Sequence, residues 1–161
     1  MGGGFHGGFG NTYGAAPGDA VFQSSPHEYF QNISHRPDID SNGVYDVVAH
    51  GGATIIQISH NGHTLEVDSR VASRLIKTKG DYNKGQPIRL LSCSTGSSIS
   101  GFAQNLANKL NVVVEAPTSL VWAYPNGRYI VAPRRKDNPS LPDLSHKGKF
   151  KKFYPGGNKH D

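Results

Sequence analysis

Three short apolar runs, each cut off by glycine or proline, constrain the fold of this chain more than any other feature. Residues 44–49 (VYDVVA) stop at His50-Gly51-Gly52, residues 88–92 (IRLLS) at Cys93-Ser94-Thr95-Gly96, and residues 112–116 (VVVEA) at Pro117. Runs of this length bounded by breakers read as buried strands. Helical patterns separate them. Asp68 is placed to cap a helix over residues 70–79, with Val71, Leu75 and Ile76 on its inner face and Gly80 as its stop. Phe102, Leu106 and Leu110 recur at the spacing of one helix face in FAQNLANKL. Strands alternating with helices imply an α/β domain with a mostly parallel sheet, right-handed crossovers and helices on its faces.

Two hairpins are expected beside that sheet. ATIIQIS (53–59) and residues 64–67 flank His60-Asn61-Gly62-His63, and residues 121–124 and 128–131 flank Pro125-Asn126-Gly127. Asn-Gly between apolar runs signals a tight turn, because both residues tolerate positive φ. His60 and His63 lack a third ligand nearby and read as turn residues, so no metal site is expected. Residues 19–41 mix Pro, His, Ser and aromatics without a clear period; one short helix is expected at residues 27–31.

At 161 residues the chain supports one domain able to bury a core without disulfide or metal staples. The divisions expected are a glycine-rich linker at 1–18, an α/β catalytic domain at 19–133 and a basic extension at 134–161. The opening MGGGFHGGFGNTYGAAPG lacks the charged start and apolar stretch of a signal peptide. No segment is long and apolar enough to cross a bilayer. The net charge of +5 resides in residues 134–161, which hold eight Lys or Arg against three Asp. With four prolines at or beside it, this segment reads as an extended, solvated tail that meets the domain only where Leu141, Leu144, Phe150, Phe153 or Tyr154 find apolar cover. Lys147, Lys149, Lys151 and Lys152 interleave with Phe150, Phe153 and Tyr154, a pattern that also suits a partner surface; nucleic acid is not the expected partner.

His50 and Cys93 supply the chemistry. Each sits where a strand ends, and in open α/β sheets ligands bind outside the carboxyl ends of the strands. A lone cysteine is buried and inert, or reactive. Here a histidine on the same rim can generate the thiolate that attacks. Gly51 lets a substrate backbone come close, and its N–H can pair with that of Cys93 to hold the oxyanion of an acyl-transfer intermediate. A helix starting just past Cys93 would aim its positive end at the thiolate and lower its pKa. Asp46 shares a strand face with His50, but about 13 Å of extended chain separates them, so a structural cap or salt-bridge role is expected of it.

Other chemistries fit poorly. A tyrosine-phosphatase loop needs arginine six positions after the nucleophile, and Ile99 stands there. Gly96-Ser97-Ser98-Ile99-Ser100-Gly101 is not a nucleophile elbow, and a thioredoxin-like site needs a second cysteine.

An apolar strand ending in His-Gly and a later one ending in Ser-Cys, over residues 45–117, resembles the clan CD cysteine peptidases: caspases, gingipains, legumains and the self-processing protease domains of large bacterial toxins. That resemblance implies a three-layer, caspase-like fold, His50 as general base or acid, Cys93 as nucleophile, Gly51 and Cys93 N–H as oxyanion hole, and no cofactor. Leu91-Ser92-Cys93-Ser94-Thr95-Gly96 departs from the Gln-Ala-Cys-Arg-Gly of caspases, which excludes a close relationship to them. LLSCSTG, FAQNLANKL and VVVEAPTSLVWA are similar to carboxy-terminal toxin domains of bacterial Rhs and other polymorphic toxins. This implies delivery within a larger secreted toxin, action on a protein in the reducing cytoplasm of a target cell, and a cognate immunity protein. Two alternatives stand beside the hydrolase: a non-catalytic binding or processing module with Cys93 buried, and a toxin acting on nucleotides or NAD.

Overall fold

The three apolar runs lie side by side in the computed structural model, which describes residues 19–21, 28–39, 43–61, 63–78 and 81–157. The linker expected at 1–18, together with His27, Gly62 and Gly80, lies outside the described residues. Strands β1 (Asp19–Val21), β2 (Tyr45–Val48), β5 (Ile88–Leu91), β6 (Val114–Pro117) and β9 (Phe150–Phe153) form one sheet in the order β1-β2-β5-β6-β9. The first four are parallel and β9 is antiparallel to β6. The domain is therefore α/β with a mostly parallel sheet.

All four residues of β2 are buried, and β5 shows only Arg89 in part. Strands covered on both faces need apolar residues at consecutive positions, which is why these runs do not alternate. Val47, Val48, Ile88, Leu90 and Leu91 are wholly excluded from solvent, each worth about 1.5–3 kcal/mol of transfer free energy. Helix α2 (Ser69–Lys77) packs on α3 (Phe102–Leu110), and α3 packs on β6 and β9. Asp68 caps α2 as expected, its Oδ1 accepting from Val71 N–H at 3.0 Å. Both antiparallel hairpins form: β3 (Ile56–His60) with β4 (His63–Val67), and β7 (Val121–Ala123) with β8 (Tyr129–Val131). Helix α1 (Glu28–Ile33) overlaps the helix expected at residues 27–31, ends two residues later than expected and packs against β7.

Two strands lie where none is expected. β1 falls in the stretch read as loop, and β9 falls in the basic segment read as a solvated tail. β9 corrects the tail to a strand, while Phe150 and Phe153 find the apolar cover expected of them: Phe153 keeps only 3% of its surface exposed and Phe150 is half-buried, on either side of exposed Lys151 and Lys152. Thr118 N–H donates to Lys149 O at 2.9 Å, and the Gln104 amide donates to Tyr154 O at 2.8 Å. The segment is thus the edge strand of the sheet and its moorings.

Asp46 is buried and paired, in line with the structural role expected of it. Arg36 donates to its Oδ2 from Nε and Nη2, at 3.1 and 2.6 Å, and Arg89, its register partner on β5, donates to both oxygens at 2.8 and 2.7 Å. Arg89 continues to Asp38 and to the Tyr129 hydroxyl, 2.9 Å each. One network thereby ties α1, β2, β5 and β8 together beneath the rim that carries His50 and Cys93.

Candidate functional site

β2 and β5 end on the pair Val48 and Leu91, and His50 and Cys93 each follow two residues later. The structure thus places the two sequence-predicted residues just beyond the carboxyl ends of neighbouring strands. Gly51 explains how closely the strand ends approach. A Cβ there would stand 2.9 Å from Thr95 Cγ2, 3.1 Å from Cys93 O and 3.1 Å from Ser92 Cβ.

Two backbone donors face this edge. Gly51 opposes Ile56 in an antiparallel bridge whose hydrogen bonds are made by Gly52 N–H to Ile55 O and Gln57 N–H to His50 O, both 2.9 Å. A non-hydrogen-bonded pair of this kind turns the Gly51 N–H away from Ile56. Among the described residues the Gly51 N–H donates to no backbone carbonyl, while the Cys93 N–H acts on its own thiol. After Cys93 the chain turns sharply, with Ser94 in the left-handed region at φ +61°. Ser94 N–H and Gly96 N–H donate to Ser119 O and Pro117 O, 2.9 Å each, seating this turn on the link between β6 and β7.

The thiol departs from expectation. Burial pushes the Cys93 pKa up, outweighing the Val121 backbone and Arg134, which act to lower it. Val121 N–H donates to Sγ at 3.3 Å, and the thiol donates to Val121 O at 3.9 Å. Helix α3 begins nine positions after Cys93, not just past it. Its first amides are consumed elsewhere: Phe102 N–H donates to Ala53 O at 2.8 Å and Ala103 N–H to Thr95 O at 3.1 Å. The helix N-terminus expected to lower the thiol pKa is therefore spent on loop carbonyls, and the direction of the shift is reversed.

α1 brings a residue that sequence reasoning missed. The Tyr29 hydroxyl donates to Leu91 O at 2.8 Å, and its ring centroid lies 6.2 Å from that of His50; the Phe30 ring lies 5.1 Å from it. Burial drives the Tyr29 phenol well above its usual range, and Cys93 adds to the rise, so the hydroxyl stays a proton donor beside the pair. The EYF triplet of a short helix carries no spacing signal that would place it over a strand end sixty residues away. Ser92 Oγ, next to the thiol, is buried and has no hydrogen-bond partner among the described residues. No group of three or more His, Cys, Asp or Glu among the described residues is placed to hold a metal ion. No helix among them is long and apolar enough to cross a membrane.

In comparisons with known proteins, residues 18–131 match the family described as a domain of unknown function, DUF8616. No curated protein and no solved structure matches the chain. The matched span covers more than half of the sequence, includes His50, Gly51, Cys93 and Tyr29, and closes on the last residue of β8, so the chain belongs to the DUF8616 family.

Proposed function

We propose that this protein is a cysteine-dependent hydrolase that cleaves an acyl bond, in a protein substrate, with His50 and Cys93 as its dyad. The observation that carries the reading is that His50 and Cys93 follow the ends of the neighbouring strands β2 and β5, with Gly51 packed closely against the backbone of Cys93. In the reaction, His50 takes the thiol proton and Cys93 sulfur attacks the carbonyl carbon, whose oxygen gains the electron pair and is held by Gly51 and Cys93 N–H. Collapse of this intermediate breaks the carbon–nitrogen bond, and the amine leaves with the proton from His50. Water, deprotonated by His50, then hydrolyses the thioester and restores the thiol. The positive φ of Ser94 supports the reading, because backbone strain concentrates where a reactive side chain must be presented. A caspase-like layer arrangement and delivery within a polymorphic toxin, as the sequence resemblance implies, belong to the same proposal.

The test is incubation of the protein with a cell lysate, followed by mass-spectrometric identification of new N-termini. Cleavage products lost in both Cys93→Ala and His50→Ala support the dyad, and products that persist in either variant overturn it. A second reading, a non-catalytic binding module, draws on the buried thiol with its raised pKa. It prevails if native Cys93 resists iodoacetamide and no new N-termini form.

A further inference from the structure

The β7–β8 hairpin has two faces with different work. On the inner face the Val121 backbone grips Cys93 and Tyr129 meets Arg89 and Asp38. Its tip rests on α1: Asn32 donates to Ala123 O at 3.0 Å, and a Cβ on Gly127, whose φ is +90°, would strike His35 O. In an antiparallel ladder, paired residues share a face and alternate along the strand. Tyr124, Arg128 and Ile130 therefore turn outwards, and with Leu144 and Lys147 they line a groove of about 580 Å³. Leu144 is 58% exposed and Tyr124 39%.

The groove is cationic. From residue 121 to 157 the chain holds eight Lys or Arg against two Asp. Both acids are occupied, Asp137 by Arg135 and Asp143 by Ser145 and His146. Among the described residues neither Arg128 nor Lys147 makes an ion pair. Unpaired cations set among Ile130, Leu144 and a proline match a chain that carries carboxylates and aliphatic side chains together. Single-stranded nucleic acid asks for successive aromatic platforms, and this groove has one ring.

We infer that this groove docks an acidic, leucine-bearing polypeptide segment of a partner protein, and that the docked segment holds the hairpin over Cys93. The consequence for Cys93 rests on the dyad reading; the binding does not. The experiment uses the full chain and a fluorescein-labelled peptide of alternating Glu and Leu, read by anisotropy, with iodoacetamide alkylation of Cys93 followed in parallel. The peptide is expected to bind more weakly as salt rises, to lose about tenfold in affinity in Arg128→Glu/Lys147→Glu, and to slow alkylation in the wild type only. Leu144→Glu, at an exposed position, is expected to weaken binding as well. Absence of binding, binding indifferent to charge reversal, preference for a labelled oligo-dT, or unchanged alkylation at saturation would each overturn the inference. Hydrolysis that survives in Cys93→Ala would remove the dyad and leave the groove standing.

Discussion

Cys93 and Val121 are joined twice, by an amide donating to sulfur at 3.3 Å and a thiol donating to a carbonyl at 3.9 Å. Among the described residues, the thiol's hydrogen bonds to other residues thus lie on the hairpin. Burial raises the thiol pKa, so the thiolate fraction at neutral pH is smaller than that of a free cysteine, whose pKa is about 8.5. The rate of iodoacetamide alkylation in native protein should rise with pH through a midpoint above that value. A midpoint below neutrality would show that the resting thiol is already activated.

Asp46 neutralises two arginines, one of them fully buried. Asp46→Ala would take from the buried Arg36 its nearest carboxylate, with Asp38 Oδ1 at 4.0 Å and Ile33 O at 2.8 Å among its remaining partners. Removing one partner of a buried pair costs about 3–5 kcal/mol, and urea unfolding should show a loss of that size. Because the pair supports β2 and β5 from below, activity per folded molecule should fall far less than in His50→Ala.

The acid limb of stability should respond to Tyr129. Burial pushes the Asp38 carboxyl up, but hydrogen bonds from the Tyr129 hydroxyl and the Arg89 guanidinium outweigh it and hold the carboxyl below its usual range. A lowered folded-state pKa contributes stability above the unfolded value of about 3.9, and that contribution is lost as pH falls through the folded value. Tyr129→Phe removes one donor and lets the Asp38 pKa rise. Its acid-unfolding midpoint, followed by circular dichroism, should move to higher pH than that of the wild type.

Elements whose evidence is local could be read from the residues. The buried runs of β2 and β5, the Asp68 cap and the two Asn-Gly turns each carry their signal within a few positions, and the placement of His50 and Cys93 just past the ends of β2 and β5 follows from where those runs stop. What escaped depends on tertiary contacts. β9 reads FKKF, four residues among lysines, and acquires a buried side only because β6 offers an open edge. The thiol pKa moves against the sequence expectation because the fold buries Cys93, a tertiary effect that sequence adjacency does not reveal. Tyr29 reaches the site only because α1 folds back over Leu91.

Gly51 has no room for a side chain, and its φ is not in the left-handed region, so the cost of alanine there is steric contact alone. Gly51→Ala should push the end of β2 away from Ser92 and Thr95. Overpacking of this kind costs about 1–3 kcal/mol, measurable as a lower melting temperature. Under the proposed mechanism the same shift displaces the Gly51 N–H from the oxyanion, so turnover should fall more than substrate binding. A fully active variant would remove Gly51 from the oxyanion hole.

Truncation after Pro133 tests whether the basic segment belongs to the domain. The cut removes β9, the donors and acceptors that moor it at Thr118 and Gln104, and the buried Phe153 ring. Emptying a buried phenylalanine site alone costs about 3–5 kcal/mol, and the exposed edge of β6 adds unpaired backbone groups. The truncated chain should lose cooperative thermal unfolding, although the family match ends at residue 131 and so leaves this strand outside it. Phe153→Ala in the full chain should show the packing loss by itself, with unfolding still cooperative. Truncation after Gly157 leaves β9 whole and should melt like the full chain. If the chain ending at Pro133 also melted with full cooperativity at the wild-type temperature, β9 would be an accessory to the sheet, and the domain would end with the β7–β8 hairpin.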